Sequence, residues 1–290
     1  MIYTLSNKAL EIKVNTKGAE LISLLYKGKE LLWQANEPWK RTAPILFPIV
    51  GKLKNNQYKY LNTIYTLEQH GFARDKEWLC TSLNAKQGKI QFELTDDEET
   101  FSKYPFHFSL ISEYSFIDDN SIKIHFKVFN PHYNVLPFSI GLHPAFNTSN
   151  DLNNCQVFFK GHSIPLPLKR TLLKDGLLSN EKEIISDEPT IKLQTNLFEN
   201  DAIILENTGI NEMILSNKHW NYQISIKSDC KHWGIWTKAK CLDFVCIEPW
   251  MGIADTINTN GDILNKKDII LLQAYQSFEW SVEIRVLESM

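Results

Sequence analysis

Short segments in which apolar and polar residues alternate run along the whole chain, and they constrain the fold more than any other feature. Leu10 to Val14, Lys89 to Leu94, Ser121 to Phe129 and Ile203 to Leu205 repeat with a period of two, as do Tyr222 to Lys227, Ile269 to Gln273 and Phe278 to Ile284. That is the spacing of a strand with one face buried. Polar turn clusters punctuate them: TDDEET from Thr95, IDDN from Ile117, NTSNDLNN from Asn147 and NTNGD from Asn258. Long amphipathic helical windows are missing, and the best short helical candidate is Leu193 to Asn200. The pattern predicts a sandwich or barrel rather than alternating βαβ units. No repeat, low-complexity tract or linker divides the sequence, so a single domain over 1–290 is expected. The most loop-like region runs from Leu173 to Pro189 and reads as an excursion over a binding face.

Composition narrows the class of function. With 290 residues, 43% of them hydrophobic, the chain is long enough to bury roughly three-quarters of its unfolded surface. A formal net charge of -3 gives no nucleic-acid footprint. No apolar run reaches the length of a membrane span. The start, MIYTLSNKALEIKV, lacks a cationic region followed by an apolar stretch, which predicts a cytoplasmic protein without a signal peptide. The five cysteines are odd in number and contain no C-x-x-C pair, so reduced, packed thiols are expected rather than a disulfide framework or a zinc site.

Four stretches bear chemistry. In VCIEPWMG, Val245 to Gly252, Glu248 ends an apolar run just before Pro249, which cannot donate to a sheet ladder. Glu248 is therefore expected at a strand end, on the rim of the core beside Trp250. In LPFSIGLHPAFN, Leu136 to Asn147, the residues Leu136, Phe138, Ile140 and Leu142 share one face. Pro137, Ser139, Gly141 and His143 share the other, leaving room above the sheet, and Pro144 should stop the strand. In QHGFARDKEW, Gln69 to Trp78, His70, Arg74 and Asp75 cluster after a strand, a set of donors suited to a hydroxyl-rich or phosphorylated ligand. In APILFPIVGKLKNNQY, Ala43 to Tyr58, a buried strand leads to a turn at Gly51 and Lys52.

Each has an ordinary structural reading. His143 would be a packing histidine, Glu248 a salt-bridge partner, Arg74 and Asp75 a solvated loop pair, and Lys52 a solvated lysine. The nucleophile elbow, phosphate loop, H-E-x-x-H and Gly-rich dinucleotide fingerprints are missing. His132 and His143 have no carboxylate set to complete a metal site. Trp39, Trp78 and Trp250 lie near the polar stretches, and an indole face can stack on a sugar ring.

Taken together and in order, FPIVGKL, QHGFARD, GLHPAF and CIEPWMGIAD resemble the aldose 1-epimerase (galactose mutarotase-like) family, in its LacX-like bacterial branch. GAELISLLYKGKELLWQ, from Gly18 to Gln34, resembles the family's N-terminal strand pairs. The resemblance implies an all-β fold, a large antiparallel β-sandwich with few short helices and a sugar site on the concave face of a curved sheet. It also implies Glu248 as base and His143 as acid, with His70 on the sugar. Lys52 stands where better-known galactose mutarotases have an arginine, and HGFAR replaces their L-H-G-G form. In the related hexose-6-phosphate branch the arginine of that motif lies near the phosphate, so Arg74 would read a phosphate or a hydroxyl.

The implied activity is anomer exchange of a hexose or hexose 6-phosphate. A base takes the C1 hydroxyl proton, an acid protonates the ring oxygen, and reclosure after rotation gives the other anomer. No cofactor and no metal is needed. The partner is a small sugar or sugar phosphate, with no nucleic acid and no membrane, and nothing specifies an oligomer. Glu248 is expected to stay basic at neutral pH, facing His143 across a gap of sugar size, with a carboxylate or hydroxyl tuning the imidazole. A non-catalytic sugar-binding protein on the same sandwich is the alternative. A lyase or glycosidase would need a second acid, for which Asp243 and Asp255 are the neighbours in sequence.

Overall fold

The alternating segments become antiparallel strands in the computed structural model, which describes residues 1–288. Nine strands form one large sheet, in the order Thr190–Lys192, Cys155–Gly161, Ile210–Asn217, Tyr222–Lys227, Ser277–Glu288, Ser121–Phe129, Ser109–Asp118, Lys89–Thr95 and Leu79–Asn84. A second sheet runs Leu177–Ser186, Leu168–Lys174, Ile203–Glu206, His232–Trp236, Phe244–Met251, Ile140–Leu142 and Ile45–Leu46, with Ala145–Asn147 also paired to Phe244–Met251. A four-stranded sheet is built from Ile2–Ser6, Leu10–Asn15, Glu20–Tyr26 and Lys29–Glu30. The expected all-β sandwich is what the chain forms.

Period two sorts the side chains between the layers. Ile122, Ile124, Phe126 and Val128 of the large sheet join Val245, Ile247, Trp233 and Ile235 of the second sheet in one core. Burying each such side chain contributes about 1.5–3 kcal/mol. Leu136, Phe138, Ile140 and Leu142 belong to the same core, as their shared face predicts. The opposite parity of Phe244–Met251 points away from that core. Its Phe244 and Cys246 pack with Trp33 and Ala145, and its Trp250 packs with Leu46 and Ile253. Glu248 lies between these two small clusters, on the outer face of the second sheet.

Several local expectations change. The strand does not stop at Pro249 but continues to Met251, so Glu248 sits in the strand interior at 1% exposure rather than on a rim. Ile247 donates its amide to Pro144 O at 3.2 Å. Alternation aims the nitrogen of Pro249 to that same side, at the break between Ile140–Leu142 and Ala145–Asn147, where no donor is required. Pro144 likewise interrupts rather than ends its segment, which resumes at Ala145. The loop-like Leu173 to Pro189 is mostly a hairpin of Leu168–Lys174 with Leu177–Ser186. Leu193 to Asn200 contains only a 3-10 turn, Thr195–Phe198. The TDDEET turn instead starts an α-helix, Glu98–Lys103, because Asp97 accepts from Thr100 N at 2.7 Å and its own N–H donates to Thr100 Oγ1 at 2.8 Å. The five cysteines are free thiols. Among the described residues no helix is long and apolar enough to cross a membrane.

Candidate active site

Glu248 and His143 meet because of register. Gly141 pairs with Trp250 and Ala145 pairs with Cys246, so the same register continued across the break places His143 opposite Glu248. His143 Nε2 lies 3.1 Å from Glu248 Oε2. The angles fall short of a hydrogen bond, and Glu248 Oε2 has no other partner although it is buried. His143 N donates to Pro44 O at 3.1 Å, which anchors its backbone to the neighbouring segment.

Both side chains line a cavity of about 350 Å³. That is at the small end for ligand sites and suits a monosaccharide-sized molecule. Pro38, Trp39, Gln69, His70, Arg74, Asp201, Trp236, Lys238 and Trp250 also line it. Trp250 lies flat because two strands supply glycines beneath it. A Cβ on Gly234 would come within 2.5 Å of its ring, and one on Gly141 within 2.8 Å. Gly141, on the small face seen in the sequence, is thus part of the bed of an indole, while Ser139 on the same face packs against Gly252.

His70 reaches the cavity from a turn. Its φ is 69°, and Gly71 follows at φ 69°, where a Cβ would stand 2.3 Å from Phe47 O. Gly51 N donates to His70 Nδ1 at 3.1 Å, which puts the proton of the neutral ring on Nε2. Arg74 donates to Gln69 O at 2.6 Å, while its buried Nε makes no hydrogen bond and lies 3.7 Å from Asp75 Oδ2, the local pairing its ordinary reading foresaw. Burial, with the charge of Arg41 adding, lowers Arg74 to about 10.

Burial dominates the electrostatics. It pushes Glu248 well above the usual carboxylate range, and the charge of Asp201 adds to the rise. It lowers His143 to about 3, with smaller contributions from Arg74 and Arg41. It also lowers His70 well below the usual histidine range. The expectation of a free, basic Glu248 is therefore revised for the ligand-free protein, because desolvation disfavours a charge on either partner. Nor is there a gap of sugar size between the two groups. Among the described residues no carboxylate or hydroxyl bonds the buried Nδ1 of His143. Its ring stacks on Trp39 (5.0 Å between centroids, 25° between planes) and meets Trp236 and His70 edge-on.

Of the residues singled out from sequence, Glu248, His143, His70, Arg74 and Trp250 converge on this cavity. Lys52 does not line it: it donates to Asp175 O at 3.0 Å, in the turn of the hairpin between Leu168–Lys174 and Leu177–Ser186. Leu173 and Gly176 of that hairpin do line the cavity, as the excursion reading anticipated. Trp78 is a core residue bonded to Ala73 O. Asp243 and Asp255 do not line the cavity; Asp255 is held by Lys266 at 3.1 Å. The second carboxylate is Asp201, which sequence reading missed. Its signal was weak, a turn residue after the Leu193 to Asn200 segment, here at φ 76°.

Comparison with known proteins adds to this geometry. The family described as Aldose 1-epimerase matches residues 1–271.

The chain belongs to the aldose 1-epimerase family.

Among curated relatives, the chromosomal protein LacX of Lactococcus lactis subsp. lactis is 26% identical, over 99% of this chain and 100% of that protein. Two solved structures have the same fold throughout. The galactose mutarotase related enzyme from Lactobacillus acidophilus aligns with TM-score 0.92 and 32% identity, over 100% of this chain and 98% of that one. The galactose mutarotase-like protein from Lactobacillus casei aligns with TM-score 0.92 and 26% identity, over 99% and 100%. Glu248 and His143 thus face each other within an aldose 1-epimerase family scaffold.

Proposed function

We propose that this aldose 1-epimerase family member interconverts the α and β anomers of a hexose or hexose 6-phosphate, with Glu248 as base and His143 as acid. The observation that supports it most is the 3.1 Å approach of His143 Nε2 to Glu248 Oε2 at one cavity wall. A pyranose carries its C1 hydroxyl and its ring oxygen on the same carbon. A base for one and an acid for the other must therefore lie within a few ångströms of each other, each in hydrogen-bond reach of its oxygen.

In the productive complex the single proton of the pair resides on His143 and is directed at the ring oxygen. Glu248 accepts the proton of the C1 hydroxyl as the C1–O5 bond breaks and the C1 carbonyl forms. The pair is then neutral, the state that burial favours. Rotation about C1–C2 presents the other carbonyl face, and the two transfers reverse as the ring closes. Such general acid–base catalysis contributes ~100- to 10,000-fold. Trp250 and Trp39 supply apolar faces for the ring, while His70 and Arg74 serve as hydroxyl or phosphate donors. Arg74 and Trp39 also face a second cavity of about 370 Å³, where Lys17, Lys40 and Arg41 are accompanied by the carboxylates of Glu20 and Asp75, and Asp75 already pairs with Arg41 at 2.8 Å, so it does not decide between a hexose and its phosphate. Lys52, outside the site, has no part in this reading.

The test is anomer exchange measured by NMR saturation transfer at equilibrium, with galactose, glucose and both 6-phosphates. Acceleration above the uncatalysed rate by the wild type is expected for at least one sugar. Binding without acceleration would favour a non-catalytic sugar-binding protein.

A further inference from the structure

Cys246 precedes Glu248 by two residues in one strand, so both side chains leave the same face of the sheet. Nε2 or Nδ1 of His143, Sγ of Cys246 and a carboxylate oxygen of Glu248 all lie within 4.8 Å of one another. Each residue is buried, and Glu248 Oε2 has no hydrogen-bond partner. We propose that His143, Cys246 and Glu248 form a binding site for a thiophilic divalent cation of the zinc class, and that the bound cation switches off the sugar chemistry. The inhibitory half rests on the acid–base reading of Glu248 and His143; the binding half does not.

The donor set is one nitrogen, one sulfur and one oxygen, which selects zinc-like ions over magnesium or calcium. Zinc bonds of about 2.0 Å to nitrogen or oxygen and about 2.3 Å to sulfur separate tetrahedral ligands by roughly 3.3–3.8 Å. No pair of the three atoms needs to close by more than about 1.5 Å. Charge balances as well. A dication, one carboxylate, one thiolate and one neutral imidazole sum to zero, so no net charge is buried. On binding, the zinc–sulfur bond forms as the S–H bond breaks, and the proton leaves to solvent. Any proton on Glu248 leaves in the same way. The ion would enter from the cavity that His143 and Glu248 line, and its fourth position would face that cavity. Sequence reading looked for ligands spaced along the chain and found none, because this set is assembled across two strands.

Cobalt(II) titration of the purified full chain tests the site without reference to activity. One equivalent should produce tetrahedral visible bands and a near-ultraviolet sulfur-to-cobalt band, with the sulfur band lost in Cys246→Ala and Cys246→Ser. Zinc competition should show affinity falling by at least the ~10–100-fold that loss of an outer-shell partner costs. Zinc should also abolish wild-type anomer exchange, with recovery on chelation, while Cys246→Ala keeps its exchange and resists zinc. No sulfur band in the wild type overturns the site even if a variant fails to fold. A sulfur band with zinc-insensitive exchange overturns the inhibition. A sulfur band in a protein that exchanges no sugar supports the site and removes the epimerase reading instead.

Discussion

His143 faces Glu248 across two antiparallel strands, 3.1 Å from imidazole to carboxylate, in a register fixed on either side by the Gly141–Trp250 and Ala145–Cys246 pairs. Glu248 lies within a buried strand, and His143 sits in the short break between two paired segments, with its amide bonded to Pro44 O at 3.1 Å. Sheet register sets the distance between the imidazole of His143 and the carboxylate of Glu248.

Trp39 covers the imidazole of His143. Its indole lies 5.0 Å from that ring, and two effects oppose each other. The π face favours an imidazolium by about 0.5–2 kcal/mol. The same ring excludes water, and desolvation is the leading reason that His143 sits at about 3. Desolvation is the larger effect, so Trp39→Ala should raise the His143 pKa toward the ordinary value of about 6.5. An NMR titration of the His143 ring proton reads this directly. A pKa that stays or falls would mean that the stack, not dehydration, dominates.

Gly234 should tolerate no side chain. A Cβ there comes within 2.5 Å of the Trp250 ring, so Gly234→Ala must displace the indole or distort the strand His232–Trp236. Overpacking of this kind costs about 1–3 kcal/mol. Urea unfolding should show a lower midpoint with an unchanged slope, and KM should rise in the folded fraction. An unchanged midpoint would show that Trp250 is free to move.

Lys266 and Asp255 form a buried ion pair behind the cavity wall. Lys266 Nζ also donates to Ile253 O at 2.6 Å, and Asp255 Oδ2 accepts from Lys54 N at 3.0 Å. Ile253 and Ala254 line the site, so the pair holds that wall in place. Lys266→Met leaves a buried carboxylate unpaired and should cost about 3–5 kcal/mol. Adding Asp255→Asn should recover part of that loss in thermal or urea unfolding. No recovery in the double variant would mean that packing of the lysine stem matters more than charge.

Acid should destabilise the fold earlier than carboxylate titration alone would. His232 is fully buried beside Asp268, 3.2 Å away, with Lys231, Lys267 and Glu206 around it, and burial lowers it to about 4. Between about 6.5 and 4 the unfolded chain binds the proton and the folded chain does not. Stability from this group is therefore full above about 6.5 and lost as pH falls through that window, at up to about 1.4 kcal/mol per pH unit. Urea midpoints from pH 7 to pH 4.5 should fall less steeply in His232→Gln. Parallel curves for variant and wild type would contradict a neutral, buried His232.

Much of this was legible in the sequence for identifiable reasons. Period two in Ser121–Phe129 and Phe278 to Ile284 reports one buried face directly, and those strands formed as read. The motifs around His143 and Glu248 sit on adjacent strands, so local spacing located them. Asp201, Lys238 and Gln69 were not recognised, because polar turn residues look alike until the fold aims them inward. Pro249 misled because its missing N–H matters only on the side where a partner strand needs it. Lys52 misled in the opposite sense, since its neighbour Gly51 lines the cavity while its own side chain turns to Asp175.

The central claim is that Glu248 and His143 act together on one hemiacetal carbon. Saturation transfer between anomers, with wild type, Glu248→Gln, His143→Asn and the double variant, tests it most directly. The predicted result is a loss of ~100-fold or more in each folded single variant, with the double variant scarcely slower than either, as expected for residues that work as a unit. Near wild-type exchange in either folded single variant, or losses that multiply in the double, would contradict it.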